Sequence, residues 1–444
     1  MKTKTPLLFI IFGLIALLLA MTFGLLAGTQ YLLPDFLKES LPFNSLRPYH
    51  ATSALSWIIL CATGGLYFYI SIATEVKLHS QRLMKIHLWL FVATGIAIYT
   101  AYALGKFGGK EYLEFPAYLI VPIIFGWILF GINYFKTFVG NLRNWPVYYW
   151  MWGTGIVFMI FHLSEAYFWL SPYIRNNFIR DLSIQWKAGG SFVGSWNMLV
   201  YGTAIYLMSK IKKDDQVGRT KLAFFFYFLG LSNLMFGWAH HVYILPTAPW
   251  IRYFAYAINM TEWIILFSMI YDWKKSLSKE TIKINFLPYK FLMAADLWIF
   301  LNLIIAILFS IPAINMYTHG THITVAHSMG TTIGINTTIL FASVTYILSL
   351  VSPDWQKSLK TMVIGYKIFH LSLLIFFFAL ILAGVQKSIW MYFTKNVAFS
   401  EMQNSLYWIY LVFLIFGVGI LVGLSLIILP AIKHFVAVIR EPKK

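Results

Sequence analysis

The stretch GWAHHVY at residues 237–243 closes a long apolar segment and places two adjacent histidines, His240 and His241, at its end. Imidazoles are costly to bury in a bilayer, so ionisable residues within apolar segments commonly mark a functional site. Two further histidines, His50 and His327, lie near the ends of other apolar segments. Together these four residues predict metal and haem chemistry inside a membrane protein.

The composition is that of a membrane protein. Of the 444 residues, 59% are hydrophobic and only 11% are charged, and the mean hydropathy is +0.71. A soluble chain carries about a quarter charged residues. We predict one all-α, polytopic domain over residues 1–444. Its apolar stretches, each of roughly the 20 residues that cross a bilayer, number about twelve: 6–27, 50–74, 83–104, 116–138, 147–170, 185–209, 220–244, 250–272, 290–312, 323–350, 361–385 and 404–432.

The basic residues predict the orientation of these spans in the membrane. The formal net charge is +18, and the lysines and arginines gather before the first span and after the even-numbered spans, as at Arg82, Arg143 and Lys213. Basic loops stay on the cytoplasmic side. We therefore expect a multi-pass protein of the bacterial inner (cytoplasmic) membrane, surrounded by lipid, with both termini in the cytoplasm. The positive charge follows topology and does not predict a nucleic-acid partner.

The chain contains a single cysteine, Cys61. One thiol excludes a thiolate cluster, a binuclear copper site and a c-type haem attachment motif within this chain. Any such site for electron entry is therefore expected on a partner.

The histidines are expected to form one layer near the outer membrane face. In this topology His50, His162, His240, His241 and His327 lie toward the outer ends of five different spans. Met329 stands two residues after His327, so at 100° per residue the two side chains point about 200° apart. Because haem iron takes His or Met as axial ligands, one helix is able to serve two haems. We predict His50 and Met329 on a low-spin haem, and His327 on a high-spin haem that faces a metal on His240 and His241.

Several stretches resemble the cytochrome b subunit of nitric oxide reductase, in the haem-copper oxidase superfamily. They are Arg47–His50 with Gly64–Tyr67, the loop 109–116, the run 237–250, Glu262 in span eight, and the run 320–329. The resemblance implies a subunit I-like fold, two haems b, and non-haem iron, with copper as an alternative. It also implies that Glu111 helps to bind calcium between the haem propionates and that Glu262 lies beneath the metal as a proton carrier.

Two departures from the family pattern concern metal ligands. The family has His-x-His on span ten, whereas this chain has His327-Ser328-Met329. The family also has His-x-x-x-Glu on span six, and there this chain has Gly189 and Val193, with Asn197 at a further glutamate position. Span five instead carries His162 and Glu165, which share a helix face at i, i+3. We hypothesise that His162 is the relocated third metal ligand and Glu165 a fourth ligand or a base; the alternative is that the metal site has decayed.

The resemblance implies reduction of nitric oxide, a small gaseous substrate, to nitrous oxide. Electrons are then expected from a cytochrome c-type donor subunit through the low-spin haem. Three alternatives stay open: an oxygen reductase of the same superfamily, a haem electron-transfer subunit without catalysis, and a proton-coupled membrane transporter. The oxygen reductases use a redox tyrosine, and Tyr243 and Tyr256 lie near the histidine pair but in no recognisable cross-linking motif.

Overall fold

The computed structural model describes residues 4–73, 77–138, 142–258, 261–394 and 396–441, apart from the side chains of residues 72, 73 and 262. In these ranges the chain forms helices joined by turns, without a β-strand. Twelve helical segments matter for the site and are numbered here in chain order: α1 Lys4–Thr29, α2 Phe43–Phe68, α3 Gln81–Ala103, α4 Ile120–Thr137, α5 Val147–Glu165, α6 Phe178–Lys212, α7 Lys221–Phe236, α8 Thr261–Lys275, α9 Phe286–Ser310, α10 His322–Val351, α11 Leu359–Phe393 and α12 Tyr407–Arg440.

The number of long helices agrees with the predicted spans. Within the described residues, eleven helices are long and apolar enough to cross a membrane. The twelfth predicted span, 185–209, lies in α6, which is 35 residues long but begins with charged residues such as Arg180 and Asp181. A chain with so many apolar helices must satisfy its backbone hydrogen bonds within each helix, because lipid offers no partners.

Polar caps and polar contacts fix how several helices begin. The Ser80 hydroxyl accepts a hydrogen bond from the Leu83 amide at the start of α3, and the Asn177 side chain accepts from Arg180 at the start of α6. Such caps satisfy amide donors that have no partner inside the helix. At the start of α10, Thr321 caps the Ile323 amide in the same way.

Two contacts tie α2 to α10, the helices that carry His50 and His327. The Trp57 indole donates to the Thr337 hydroxyl at 3.0 Å, and Tyr69 and Ser343 are hydrogen bonded through their hydroxyls at 2.6 Å. Thr337 ends a π-helical stretch, Gly330–Thr337, that begins directly after Met329. Short π-helical stretches inside α-helices are frequent at functional sites. His327 and Met329 themselves lie in the regular α-helical part of α10, as the 200° argument requires.

A short 3-10 turn and two short helices lie between the long helices near the histidine pair. The histidine turn, Gly237–Val242, follows α7 and packs against α6. The short helix Pro249–Ile258 follows it, and the short helix Pro312–Thr318 joins α9 to α10. The histidine pair therefore stands on a tight turn after the helix and not in the helix itself.

Candidate haem and metal site

The backbone of α1 orients the imidazole of His50. Its Nδ1 lies 2.7 Å from the Ala20 carbonyl oxygen. Because a carbonyl oxygen only accepts, Nδ1 carries the proton and Nε2 keeps its lone pair free. A metal-bound imidazole is normally held in this way through its second nitrogen. Gly24, one turn further along α1, leaves room for the ring, since a Cβ there would stand 2.8 Å from Nδ1.

A buried asparagine holds His327 in the same tautomer. Asn302 on α9 is fully buried, and its Oδ1 accepts from His327 Nδ1 at 3.1 Å. The orientation of the amide is fixed, because Asn302 Nδ2 donates to the His327 carbonyl at 3.2 Å and to the Thr331 hydroxyl at 2.7 Å. The Nε2 of His327 is thereby left as the free nitrogen, which is the form that an axial haem ligand requires.

Met329 stays a predicted ligand. Its side chain is partly buried and packs against the main hydrophobic core. Core packing and iron ligation are both compatible with this position, since the thioether serves either purpose. His322, at the start of α10, is a second candidate ligand, but it contacts Tyr410 and Tyr31, with 3.5 Å between its Nε2 and the Tyr410 hydroxyl.

The histidine turn brings the two adjacent imidazoles into contact. The ring centroids of His240 and His241 are 4.1 Å apart. The Nδ1 of His240 lies 2.6 Å from the Gly237 carbonyl oxygen, so Nδ1 is protonated and Nε2 is bare. That Nε2 is buried and has no hydrogen-bond partner among the described residues. A bare imidazole nitrogen enclosed in protein suits a metal ligand better than a packing residue.

Aromatic rings connect the histidine pair to the haem helix. The Phe309 ring contacts both His240 and His327, at centroid distances of 5.7 and 4.7 Å. On the other side, Trp186 of α6 stacks on His241 at 4.9 Å with 10° between the ring planes. The three predicted residues are therefore neighbours.

Helix α6 supplies no metal ligand where the family has two. A Cβ at Gly189 would meet nothing within 4 Å, and Gly190 packs against Trp238 of the histidine turn. Val193 is apolar, and Asn197 accepts a hydrogen bond from the Asn336 side chain at 3.0 Å. These positions therefore build packing and a polar link between α6 and α10.

The proposed role of His162 as the third metal ligand stays a prediction. Helix α5 packs on α6, and α6 in turn packs on the histidine turn. His162 donates from Nδ1 to Glu165 at 3.0 Å, and the same carboxylate is ion-paired with Lys187 of α6. In the described ranges no three His, Cys, Asp or Glu side chains meet in metal-binding geometry. Glu165 is thus shared between the His162 imidazole and the Lys187 ammonium, which compete with any metal for its carboxylate.

Glu111 lies in an ion cluster with Arg47 of α2. Arg47, one helical turn before His50, donates to Glu111 at 3.0 Å and to Glu114 at 2.6 Å. Burial raises the pKa of Glu114, and the Arg47 guanidinium opposes that rise. Calcium binding by Glu111 stays a prediction. Glu262 belongs to α8, but its side chain lies outside the described part of the structure, so its proton-carrying role also stays a prediction.

Four residues beside the predicted ligands escaped sequence reasoning: Asn302, Phe309, Asn315 and His319. Asn315, on the short helix Pro312–Thr318, donates to the His240 carbonyl at 3.4 Å, and the amide of His319, the residue after that helix, donates to the Asn315 carbonyl at 2.8 Å. A signal existed for Asn302, because an amide inside an apolar span needs a partner. No pattern in the sequence shows which ring that partner is.

The chain is similar to known respiratory proteins over most of its length. A family model described as Cytochrome C and Quinol oxidase polypeptide I matches residues 4–419. The chain is 23% identical, over 411 residues, to a nitric oxide reductase subunit of Stutzerimonas stutzeri, covering 86% of this chain and 84% of that protein. A solved haem-copper terminal oxidase dimer aligns with a TM-score of 0.77 at 14% identity, covering 100% of this chain and 85% of that one.

The chain therefore belongs to the Cytochrome C and Quinol oxidase polypeptide I family, the haem-copper oxidase subunit I fold. This confirms the predicted family, the all-α class and the polytopic architecture. It also makes the chain a membrane oxidoreductase subunit of a family that binds haems and a metal centre and takes electrons from a cytochrome c or quinol partner. Membership favours haem chemistry over the transporter alternative.

The residues fit two haems better than they fit the metal. His50 and His327 each present a free Nε2 whose tautomer is fixed by a carbonyl oxygen. For the metal, His240 offers a buried bare nitrogen and His241 lies beside it, but two imidazoles alone leave a divalent ion short of ligands. The further ligands are not on α6.

Proposed function

We propose that this chain is a nitric oxide reductase-like subunit that reduces nitric oxide to nitrous oxide. The observation that carries the proposal is the arrangement of His327 and His240, two buried imidazoles that are each held through Nδ1 and that both contact the Phe309 ring. The similarity to the nitric oxide reductase subunit of Stutzerimonas stutzeri supports the same substrate. Two molecules of nitric oxide, two electrons and two protons would give one nitrous oxide and one water.

Two haems b would supply the redox chemistry, one low-spin on His50 and Met329 and one high-spin on His327. The chain's own residues orient and shield the site. Asn302 holds the His327 ring, and Trp263 and Phe309 cover it at 6.2 and 4.7 Å. These apolar rings exclude water, which strengthens every electrostatic interaction inside the site. Non-haem iron, or copper, is the proposed metal on the histidine pair.

The resemblance and the charge pattern suggest the electron donor, the proton carrier and the orientation of the protein in the membrane. We propose a cytochrome c-type donor subunit, because a chain with one cysteine, Cys61, has no c-type haem attachment motif of its own. Protons would reach the site through Glu262, the role that the resemblance implies for this residue. The protein would lie in a bacterial inner membrane with both termini in the cytoplasm, the cofactor layer toward the outer side, and calcium near Glu111.

The test is an anaerobic turnover assay on the purified complex with an artificial electron donor. Nitric oxide consumption coupled to nitrous oxide formation, lost in His327→Ala, is the expected result. Consumption of oxygen with no nitrous oxide from nitric oxide would overturn the proposal and favour an oxygen reductase.

One observation favours a second candidate function. Because Gly189 and Val193 offer no ligands, the chain is also compatible with a haem electron-transfer subunit that has lost catalysis. In that case both haems are reduced by the donor, but neither gas is consumed.

A further inference from the structure

The segment 272–290, which runs from the end of α8 to the start of α9, carries positive charge that its own acids do not neutralise. It contains five lysines against two acids, Asp272 and Glu280. All seven residues are exposed, and none of them forms an ion pair among the residues that the structure describes. The five lysines are Lys274, Lys275, Lys279, Lys283 and Lys290.

Two other loops predicted on the same side of the membrane, both described completely, neutralise their lysines internally. Between α6 and α7, Lys210 pairs with Asp215 at 3.0 Å. Lys212 pairs with Asp214 at 3.1 Å. Between α10 and α11, Lys357 pairs at 2.8 Å with the aspartate three residues before it. The rule for membrane orientation counts the basic residues of all three loops alike, so it does not account for the missing ion pairs between α8 and α9.

A short helix, Lys279–Ile284, presents two of these lysines on one face. The Ser278 hydroxyl caps this helix by accepting from the Thr281 amide at 3.1 Å. Lys279 and Lys283 are four residues apart, so their side chains leave the helix in nearly the same direction. Like charges at this spacing repel one another. An anion bound between the two ammonium groups would remove that repulsion.

Apolar groups lie beside the charges of this segment. The Lys275 Nζ is 4.2 Å from the centre of the Tyr271 ring, and the Lys290 Nζ is 5.7 Å from the centre of the Phe286 ring. Tyr271 is 44% exposed and Ile284 is 67% exposed. Lysines whose stems lie along apolar surface while the ammonium reaches outward are typical of the boundary between hydrocarbon and headgroups. The surface therefore offers charge and apolar contact together, as a phospholipid requires.

The segment is anchored to the helix bundle at both ends. The Trp273 indole donates to the Met208 carbonyl of α6 at 2.9 Å. The Tyr366 hydroxyl of α11 donates to the Lys290 carbonyl at 3.2 Å. A ligand that binds to an anchored segment loses less free energy to ordering the backbone.

We propose that the segment 272–290 binds the phosphate headgroup of an anionic phospholipid. Charge complementarity carries the proposal, because unpaired ammonium groups are strong donors to phosphate oxygens. Clusters of basic residues directly beside a membrane span recognise anionic lipids in this way. The bound lipid would hold together the ends of α8 and α9, the helices that carry Trp263 and Asn302. The inference does not depend on the proposed function, since it involves no haem or metal residue.

The experiment measures lipid binding to the purified complex in detergent. Phosphatidylglycerol or phosphatidylcholine with a fluorescent acyl chain is titrated in, and energy transfer from the protein's tryptophans reports binding. The wild type should prefer phosphatidylglycerol, and the preference should fall as salt rises. The double variant Lys279→Gln/Lys283→Gln should bind phosphatidylglycerol about 20- to 30-fold more weakly, since each lysine near an anionic surface contributes roughly a fivefold factor.

The matched control is Lys210→Gln/Lys212→Gln, which removes two lysines that are already ion-paired and should keep wild-type affinity. Lys279→Arg/Lys283→Arg keeps both charges and should also bind. Haem content per chain shows whether each variant folds.

Several results would overturn the inference. Unchanged affinity in Lys279→Gln/Lys283→Gln would exclude these lysines, and an equal loss in the control would reduce the effect to net charge. Equal affinity of the wild type for the two lipids would leave an acidic protein as the occupant of this surface. Inorganic phosphate at matched ionic strength should not displace the lipid, because it makes no apolar contact with Tyr271 or Ile284; displacement would refute the assignment to a lipid.

Discussion

The Asn302 amide offers a sharp test of how the protein prepares His327 for haem. In Asn302→Leu the side chain keeps a similar size but loses three hydrogen bonds, to His327 Nδ1, the His327 carbonyl and Thr331. Thr331 still bonds to the His327 carbonyl at 3.1 Å, so only the imidazole N–H is left without a partner. A buried donor without a partner costs about 1–3 kcal/mol.

The same change removes the hydrogen bond that fixes the proton of His327 on Nδ1. Loss of such a supporting bond typically weakens metal binding about ten- to hundredfold, which corresponds to roughly 1.4–2.8 kcal/mol. Gly330, which lies against the Asn302 side chain, has no Cβ to meet the leucine; a Cβ there would stand 2.7 Å from Asn302 Oδ1. We therefore expect the folded protein to bind its high-spin haem more weakly, with the low-spin haem unchanged.

The assay separates the two haems by carbon monoxide, which binds only an iron with a free coordination position. In Asn302→Leu the carbon monoxide difference spectrum should shrink, while the low-spin bands keep their intensity per chain. Asn133→Leu is a matched control, since Asn133, on α4, is also fully buried and its amide is hydrogen bonded to the Ser80 backbone and to Tyr67. Equal carbon monoxide binding in Asn302→Leu and wild type would refute the reasoning, and so would loss of both haems together.

Three further changes test neighbouring parts of the structure. Gly24→Ala places a methyl group 2.8 Å from His50 Nδ1 and should lower the low-spin haem content by displacing the imidazole ring. The absorption band of the reduced low-spin haem measures this content, and an unchanged band would show that α1 moves away from His50 instead. Met329→Ala should remove a weak near-infrared band typical of thioether-ligated ferric haem, and persistence of that band would exclude Met329 as a ligand. Lys187→Met leaves Glu165 buried without its cation and should lower the unfolding free energy by about 3–5 kcal/mol; thermal unfolding measures this, and Glu165→Gln in the same chain should restore part of the loss.

The sequence alone determined the membrane architecture and the residue types of the site. Twelve apolar stretches specify helices because lipid leaves the backbone no other partners. A histidine in such a stretch is costly enough that His50, His240, His241 and His327 stood out without any coordinates. The missing ligands at Gly189 and Val193 were visible in the same way.

Only the tertiary structure decided which polar groups meet. His162 and Glu165 looked like free ligands in sequence because Lys187, 22 residues further on, gives no local sign that it neutralises the carboxylate. Asn302 and His327 are 25 residues apart, and Asn315 and His240 are 75 apart, so their pairing depends on how α9, α10 and the histidine turn pack. Periodicity specifies the faces of a helix, whereas the packing of side chains between helices sets which faces touch. The tautomer of each histidine, and so its capacity to bind a metal, follows from that packing.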